Sequence, residues 1–256
     1  MVATITLTSA SSDLLGYLEN DWLPGFNDPT FGDFYQNFDP MDPAKVYTQW
    51  GAGTSTNSAV VLDGSFTYVQ GDLTGTVDTL TFGDGLTGSG STGFGVGTPE
   101  LSIDLGGASA TNTFDFAIYN ISVNGSLSAT PNGPGLYDYF AEVGTNQIGT
   151  SGNDKLYSFA GDDSLTGAAG DDTFVFEDNF ANDTITDFGT STGNDDLLDL
   201  TGVSAITDSM DLIFNHSNWT DTTGVLTITD GANDIQLTGY VGSDIFTLVN
   251  GGNVVV

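Results

Sequence analysis

Cysteine is absent from this chain. That excludes disulfides, thiolate catalysis and cysteine-ligated metals, and it leaves core packing, bound metal or assembly to hold the fold. Arginine is absent too. Lys45 and Lys155 are the only lysines, set against 34 acidic residues, so the formal net charge is −32. Such a chain repels nucleic acid and anionic lipid, and neither is expected as a partner. The acidic residues are spread along both halves rather than gathered in a tail. Folding them together calls for counter-charge, which divalent cations would supply; solubility in a saline habitat is the plainer reading of the same composition. Histidine occurs once, at His216, so a Ser-His-Asp triad could run only through it. His-Glu-x-x-His is absent, and Glu19, Glu100, Glu142 and Glu177 show no spacing that pairs them for glycoside hydrolysis. No catalytic constellation emerges, and the chain reads as a non-enzyme. No apolar run reaches membrane-spanning length, and no charged segment followed by an apolar stretch opens the chain.

What is present is a register. Gly152, Gly161 and Gly170 stand nine residues apart, as do Asp154, Asp163 and Asp172, and Leu156, Leu165 and Phe174. The glycines suit tight turns with positive φ. Each aspartate sets a hard oxygen beside turn carbonyls, the donor set calcium prefers. The apolar residue points inward from a short strand, and stacked turns bury it. Gly-x-Asp-x-apolar at period nine resembles the repeat of RTX proteins, with a degenerate leading pair at Gly149-Thr150, Ser158-Phe159 and Gly167-Ala168. The resemblance implies a parallel β-roll around Ca²⁺ over about 149–176. Two nine-residue units make one coil of such a roll, so Asp154 and Asp172 fall on one side and Asp163 on the other. It implies calcium ligation by Gly149, Gly152, Asp154, Gly161, Asp163, Gly167, Gly170 and Asp172. Asn153, Asp162, Asp171 and Asp183 are further candidates, and the first three also suit simple exposure to solvent. RTX proteins leave Gram-negative cells by type I secretion machinery that reads a C-terminal signal. Asp244 to Val249, followed by Val254-Val255-Val256, resembles such a tail; by its residues alone it also suits a final pair of strands.

Along the chain, alternating Ala3, Ile5 and Leu7 read as a strand. Ser12 is placed to cap a helix carrying Leu14, Leu15, Leu18 and Trp22, which Pro24-Gly25 ends. Residues 26–56 read as loop, with Asp39-Pro40 and Asp42-Pro43 inside it. Strands are expected near 58–62, 65–70, 76–82, 100–105 and 113–123, antiparallel with short links. An amphipathic piece follows from Leu136 to Val143. Beyond the roll, strand-like segments lie at 184–188, 211–214, 225–230, 234–238 and 244–249. The domains are read as 1–144 and 145–256.

Residues 64–68, Gly-Ser-Phe-Thr-Tyr, and 77–87, Val-Asp-Thr-Leu-Thr-Phe-Gly-Asp-Gly-Leu-Thr, resemble stretches of the secreted haem-acquisition haemophores. The likeness covers roughly residues 10–95 and implies an α+β domain with a curved antiparallel sheet on helices. The expected fold class is therefore mainly β: a haemophore-like α+β domain, then an RTX β-roll with a β-rich cap. Haemophores hold haem iron through a tyrosine assisted by histidine, and Tyr68 falls at the tyrosine position. Residues 69–73 contain no histidine, so Tyr68 reads either as a haem ligand or as an ordinary strand aromatic.

Two functions follow as expectations. One is a secreted, calcium-binding structural component of a matrix fibre, surface layer or adhesive coat, self-associating through the strands at residues 2–8 and 253–256. The other is a haemophore using Tyr68 and delivering haem to an outer-membrane receptor. Both place the protein outside the cell or at the surface of a Gram-negative bacterium.

Overall fold

The computed structural model describes residues 2–26, 31–36, 46–69, 72–191, 193–220, 225–238, 240 and 245–256, without the side chains of residues 191 and 218–220. Lys45, Asp39-Pro40, Asp42-Pro43 and Asp244 lie outside the described residues. The chain forms two compact units, Met1–Ile5 with Leu15–Glu142, and Thr6–Leu14 with Val143–Val256.

The first unit is an antiparallel sheet packed with helices. It comprises β1 (Ala3–Thr6), helix α1 (14–25), β2 (Asp33–Tyr35), β3 (Tyr47–Gly53), β4 (Ser58–Val69), β5 (Asp72–Ser89), β6 (Gly93–Ser109), helix α2 (112–124) and α3 (Leu136–Val143). The strand order is β1-β6-β5-β4-β3-β2. The segments expected at 58–62 and 65–70 are one strand, β4, because a bulge at Asp63/Gly64 absorbs the break. Gly64 lies so close to Thr76 O and Val77 Cα that a Cβ would not fit, which is the position such a bulge reserves for glycine. Helix α1 carries a π turn, Tyr17–Trp22, between two α turns. Trp22 is buried, donates its indole N–H to Ala59 O at 3.0 Å and meets Phe82 edge-on.

Residues 113–123, expected as a strand, are helical. Phe114, Phe116 and Ile118 alternate, and their aromatic and β-branched character mimics strand periodicity. The buried set is instead Phe114, Ala117, Ile118 and Ile121, which is helical spacing. Thr111 caps this helix by accepting the Phe114 N–H at 3.2 Å.

The second unit is a two-sheet coil. In chain order it contains β7 (Thr145–Ile148), β8 (Lys155–Tyr157), β9 (Ser164–Thr166), β10 (Thr173–Glu177), β11 (Asn182–Ile185), a small hairpin β12 (Thr190–Ser191) with β13 (Asn194–Asp195), and β14 (Leu197–Gly202). Helix α4 (209–216), hairpin β15 (Ser217–Thr220) with β16 (Val225–Asp230), β17 (Asn233–Leu237), α5 (Ile245–Gly251) and β18 (Val254–Val255) complete it. Strands from β7 to β11 alternate between sheets. One sheet runs β7-β9-β11-β17 and the other β8-β10-β14-β18, all in parallel. Leu156, Leu165 and Phe174 are fully buried between them, joined by Ile185, Leu198, Leu200, Ile235 and Leu237. The roll thus continues well past the expected 149–176, because inward apolar residues persist after the nine-residue spacing is lost.

Residues 6–14 close the first coil. Leu7 N–H bonds Ile148 O at 2.9 Å, Lys155 N–H bonds Ser12 O at 2.6 Å, and Tyr157 donates its hydroxyl to Asp13 Oδ1 at 2.8 Å. A coil needs such a cap because its end strands otherwise present unpaired backbone. Two expected strands are helices instead. Residues 211–214 belong to α4, capped by Asp208. Residues 245–251 form α5, with Ile245 and Leu248 buried one turn apart. A short apolar run suits either state, and the burial of one stripe decides for helix.

Candidate metal centre

The roll stacks its aspartates into two ladders. On one side Asp154 N–H donates to Asp172 Oδ1 at 2.8 Å, and Asp172 N–H donates to Asp196 Oδ1 at 3.0 Å. On the other, Thr145 N–H donates to Asp163 Oδ1 at 2.6 Å, and Asp163 N–H donates to Asp183 Oδ1 at 2.7 Å. All five aspartates are buried, at 1–3 % exposure. The placement arises because each aspartate directly precedes, or in Asp183 lies within, a strand, and the side chain two residues further on (Leu156, Leu165, Phe174, Ile185 or Leu198) fills the core. Asp154 and Asp172 therefore share one side and Asp163 lies on the other.

Second carboxylate oxygens tie down the turns. Asp154 Oδ2 accepts Thr150 N–H at 2.6 Å and Asp163 Oδ2 accepts Phe159 N–H at 2.7 Å, each from four residues earlier. Asp196 Oδ2 accepts Gly189 N–H at 2.6 Å and Asp183 Oδ2 accepts the Ser158 hydroxyl at 2.6 Å. Asp172 Oδ2 is buried with no hydrogen-bond partner among the described residues.

Burial sets the electrostatics. It pushes Asp163 and Asp172 up to about 6 and Asp183 up to about 8, against the hydrogen bonds they accept, and it raises Asp196. Neighbouring carboxylates add to each rise: Asp162 acts on Asp163, Asp163 on Asp183, and Asp196, Asp154 and Asp187 on Asp172. The unit's one lysine, Lys155, holds its ammonium 5.2 Å from the Tyr157 ring centre.

The glycines serve mainly by closeness. Of Gly152, Gly161 and Gly170 only Gly170 has positive φ, at 132°, which corrects the expectation for the other two. A Cβ on Gly149 would strike Gly167 O, and one on Gly167 would strike Asp172 Oδ2. Gly152 has room for a side chain, and Gly161 is buried. Exposed Asn153, Asp162 and Asp171 form an outer set of rungs, accepting the N–H of Asp171, Asn182 and Asp195 respectively at 3.0–3.1 Å. They face solvent and tie coils together at once.

Tyr68 lies in the first unit. Its ring stacks on Phe34 at 4.9 Å and borders a cleft of about 390 Å³ lined also by Trp50, Leu73, Asp115 and Tyr119. Asp115 is 6 % exposed and accepts Leu73 N–H at 3.1 Å. Its burial raises its pKa, and Asp72 adds to the rise. No histidine, lysine or arginine is among the described residues lining this cleft. His216 is in the second unit, its Nδ1 2.8 Å from Thr229 O and its Nε2 3.8 Å from Asp211. Residues 189–193 spell Gly-x-Ser-x-Gly, but Thr190 and Ser191 form β12, which pairs antiparallel with β13, and do not enter a helix as a nucleophile elbow does.

Residues 148–174 match the family model of the RTX calcium-binding nonapeptide repeat (4 copies). No curated protein matches the chain. Among solved structures, the holo form of the hemophore HasA from Yersinia pestis is similar at TM-score 0.37 and 18 % identity, over 47 % of this chain and 81 % of that one. An apo form of the same protein is similar at the same score and identity, over 55 % and 84 %. A mutant HasA monomer from Yersinia pseudotuberculosis is similar at 0.34 and 20 %, over 47 % and 81 %.

The RTX stretch offers what a hard cation needs. Carboxylate oxygens stack beside turn carbonyls, and one buried carboxylate oxygen lacks a donor among the described residues. Among the described residues no three acidic or histidine side chains already surround one point. Backbone carbonyls would therefore complete the shell, which suits calcium's six to eight oxygens. The sequence reading missed Asp196 and Asp187. Asp196 stands 24 residues after Asp172, and Asp183 stands 20 after Asp163, so both ladders leave the period that exposed them.

Proposed function

We propose that this chain is a secreted, non-enzymatic calcium-binding protein that serves as a structural component of an extracellular assembly. Its second unit closes on calcium outside the cell. The observation that carries this reading is the pair of buried aspartate ladders in a chain of net charge −32. Without cations the ladders repel themselves. With them, binding free energy becomes folding free energy. Asp154, Asp163 and Asp172, with carbonyls of their turns, would hold the ions. A coil that stays open where calcium is scarce also suits passage through type I secretion machinery. The capped strands, and the absence among the described residues of a helix long and apolar enough to cross a membrane, are compatible with a fibre, surface-layer or coat subunit. The test is circular dichroism and melting with calcium and with EGTA. The reading requires the second unit to lose structure in EGTA; identical curves would end it.

The second reading is a haemophore using Tyr68. The tyrosine's place in an aromatic cleft favours it. The buried Asp115 carboxylate and the lack of a cation among the described residues lining the cleft oppose a ligand that brings anionic propionates.

A further inference from the structure

In the first two RTX turns, the N–H four residues before the aspartate closes the turn onto Oδ2, as Thr150 does for Asp154 and Phe159 for Asp163. The third turn breaks the rule. Ala168, held at φ 75°, donates instead to Asp187 Oδ2 at 2.8 Å, and Gly167 donates to Asp187 Oδ1 at 3.0 Å. Asp187 thus takes the donor that Asp172 Oδ2 would have used. Two carboxylates then share the 167–168 turn, and one of them, Asp172, is 1 % exposed with its Oδ2 unpartnered among the described residues. A Cβ on Gly167 would strike that same oxygen, so the space beside it is kept clear. The loop that brings Asp187 in also carries Asn194, whose buried Oδ1 is a second oxygen without a partner among the described residues.

We propose a calcium site at this third turn, held by Asp172 Oδ2, Asp187 and carbonyl oxygens of the adjoining turns. It is built by the 187–196 insertion and lies partly beyond the nonapeptide match. The proposal rests on the calcium reading above. Two carboxylates crowding one turn without a cation are unfavourable, and a buried oxygen without a donor forfeits its hydration with nothing in return. A hard divalent ion answers both at once. Calcium is favoured over magnesium because irregular turn carbonyls do not supply a rigid octahedron. Asp187 lies off the nine-residue register, so this site can be removed without touching a repeat aspartate.

Calcium stoichiometry by equilibrium dialysis on the full chain and on Asp187→Asn tests the proposal. The asparagine keeps one acceptor for the Gly167–Ala168 turn and loses the charge. The expected result is one ion fewer per chain, with the remaining sites and the EGTA-sensitive fold retained. Unchanged stoichiometry and affinity would overturn this site while leaving the calcium reading intact. A wild-type chain that binds no calcium would overturn both. If Asp187→Asn does not fold, a crystal structure of the wild-type chain grown with calcium decides. An ion within about 2.3–2.6 Å of both Asp172 Oδ2 and an Asp187 oxygen supports the site, and no shared ion there overturns it.

Discussion

Asp154 donates its backbone N–H to Asp172 Oδ1 at 2.8 Å, across 18 residues and one full coil. A single side chain therefore both fastens one coil to the next and places a buried negative charge there. The two roles can be separated, because the fastening oxygen of Asp172 and its oxygen without a partner among the described residues are different atoms.

Asp172→Asn should change sign with calcium. Asparagine keeps Oδ1 for Asp154 N–H, and its amide replaces an oxygen that accepts nothing among the described residues. In EGTA at neutral pH the variant should melt higher, by about 2–4 °C for each kcal/mol of repulsion relieved. In calcium it should melt lower than the wild type and bind calcium more weakly. Melting that shifts the same way in both buffers would show that Asp172 carries no ion.

Leu165→Ala should weaken the roll in calcium by about 2–5 kcal/mol, the usual cost of emptying a buried leucine site. Leu165 is fully buried in β9, in register with Gln147 of β7 and Ile185 of β11. Urea unfolding followed at the roll's amides by hydrogen exchange would measure it. A cost under about 1 kcal/mol would mean that the coil is held by its ions rather than by its core.

How much of this was legible in the sequence depends on which physical signal was periodic. The nine-residue register placed Leu156, Leu165 and Phe174 in the core, because every unit repeats the same turn and strand, while the placing of Asp163 opposite Asp154 and Asp172 came from the resemblance to the RTX roll, in which two units make one coil. Asp187 and Asp196 were invisible to that register, since their loop inserts a hairpin and only folding returns them to the ladder. Helix α2 was misread because Phe114, Phe116 and Ile118 alternate, although the Thr111 cap was there to be seen. Helix α5 offered only a short apolar run, and tertiary burial chose its state. In the first unit the strands at 58–62 and 65–70 were legible as strands, but no local signal says that Gly64 lets them continue as one.

Asp115 gives the first unit a pH dependence. Burial raises its carboxyl above the ordinary carboxylate range of about 3.9. The folded state therefore holds the proton more tightly than the unfolded state. Its favourable contribution is complete below the unfolded value and is lost as pH climbs through the raised folded value. Asp115→Asn, which keeps the acceptor for Leu73 N–H, should remove this slope and raise stability at neutral pH. Melting of both proteins across pH 4–7, at constant calcium, checks it; parallel curves would show that Asp115 is solvated or already neutral.

Tyr68 should fail as a haem ligand. Among the described residues its cleft offers no lining histidine to support a phenolate and no cation for propionates, and the Asp115 carboxylate that lines it is already desolvated. Titration with haemin should give the same visible spectrum for the wild type and Tyr68→Phe. A Soret shift that the substitution abolishes would reverse this and favour the haemophore reading.

Self-association, if calcium drives it, should run through the C-terminal edge rather than the N-terminal strand. Residues 3–6 pair beside β6, and Leu7 bonds Ile148, so residues 2–8 are occupied within their own chain and do not serve as the connector expected from sequence. Val254 and Val255 pair with Leu198 and Asp199, which leaves β18 at the edge of its sheet with Val255 38 % exposed. An edge strand presents backbone groups that pair regardless of side-chain charge, and so it can join copies that each carry −32. A charge placed on such an edge is a standard block to pairing. Val255→Glu should therefore keep the wild-type melting temperature within a few degrees and remain monomeric in calcium under sedimentation, where the wild type grows. Equal growth of both chains would exclude β18 as the junction, and a wild-type chain that stays monomeric at high concentration in calcium would remove the assembly role itself.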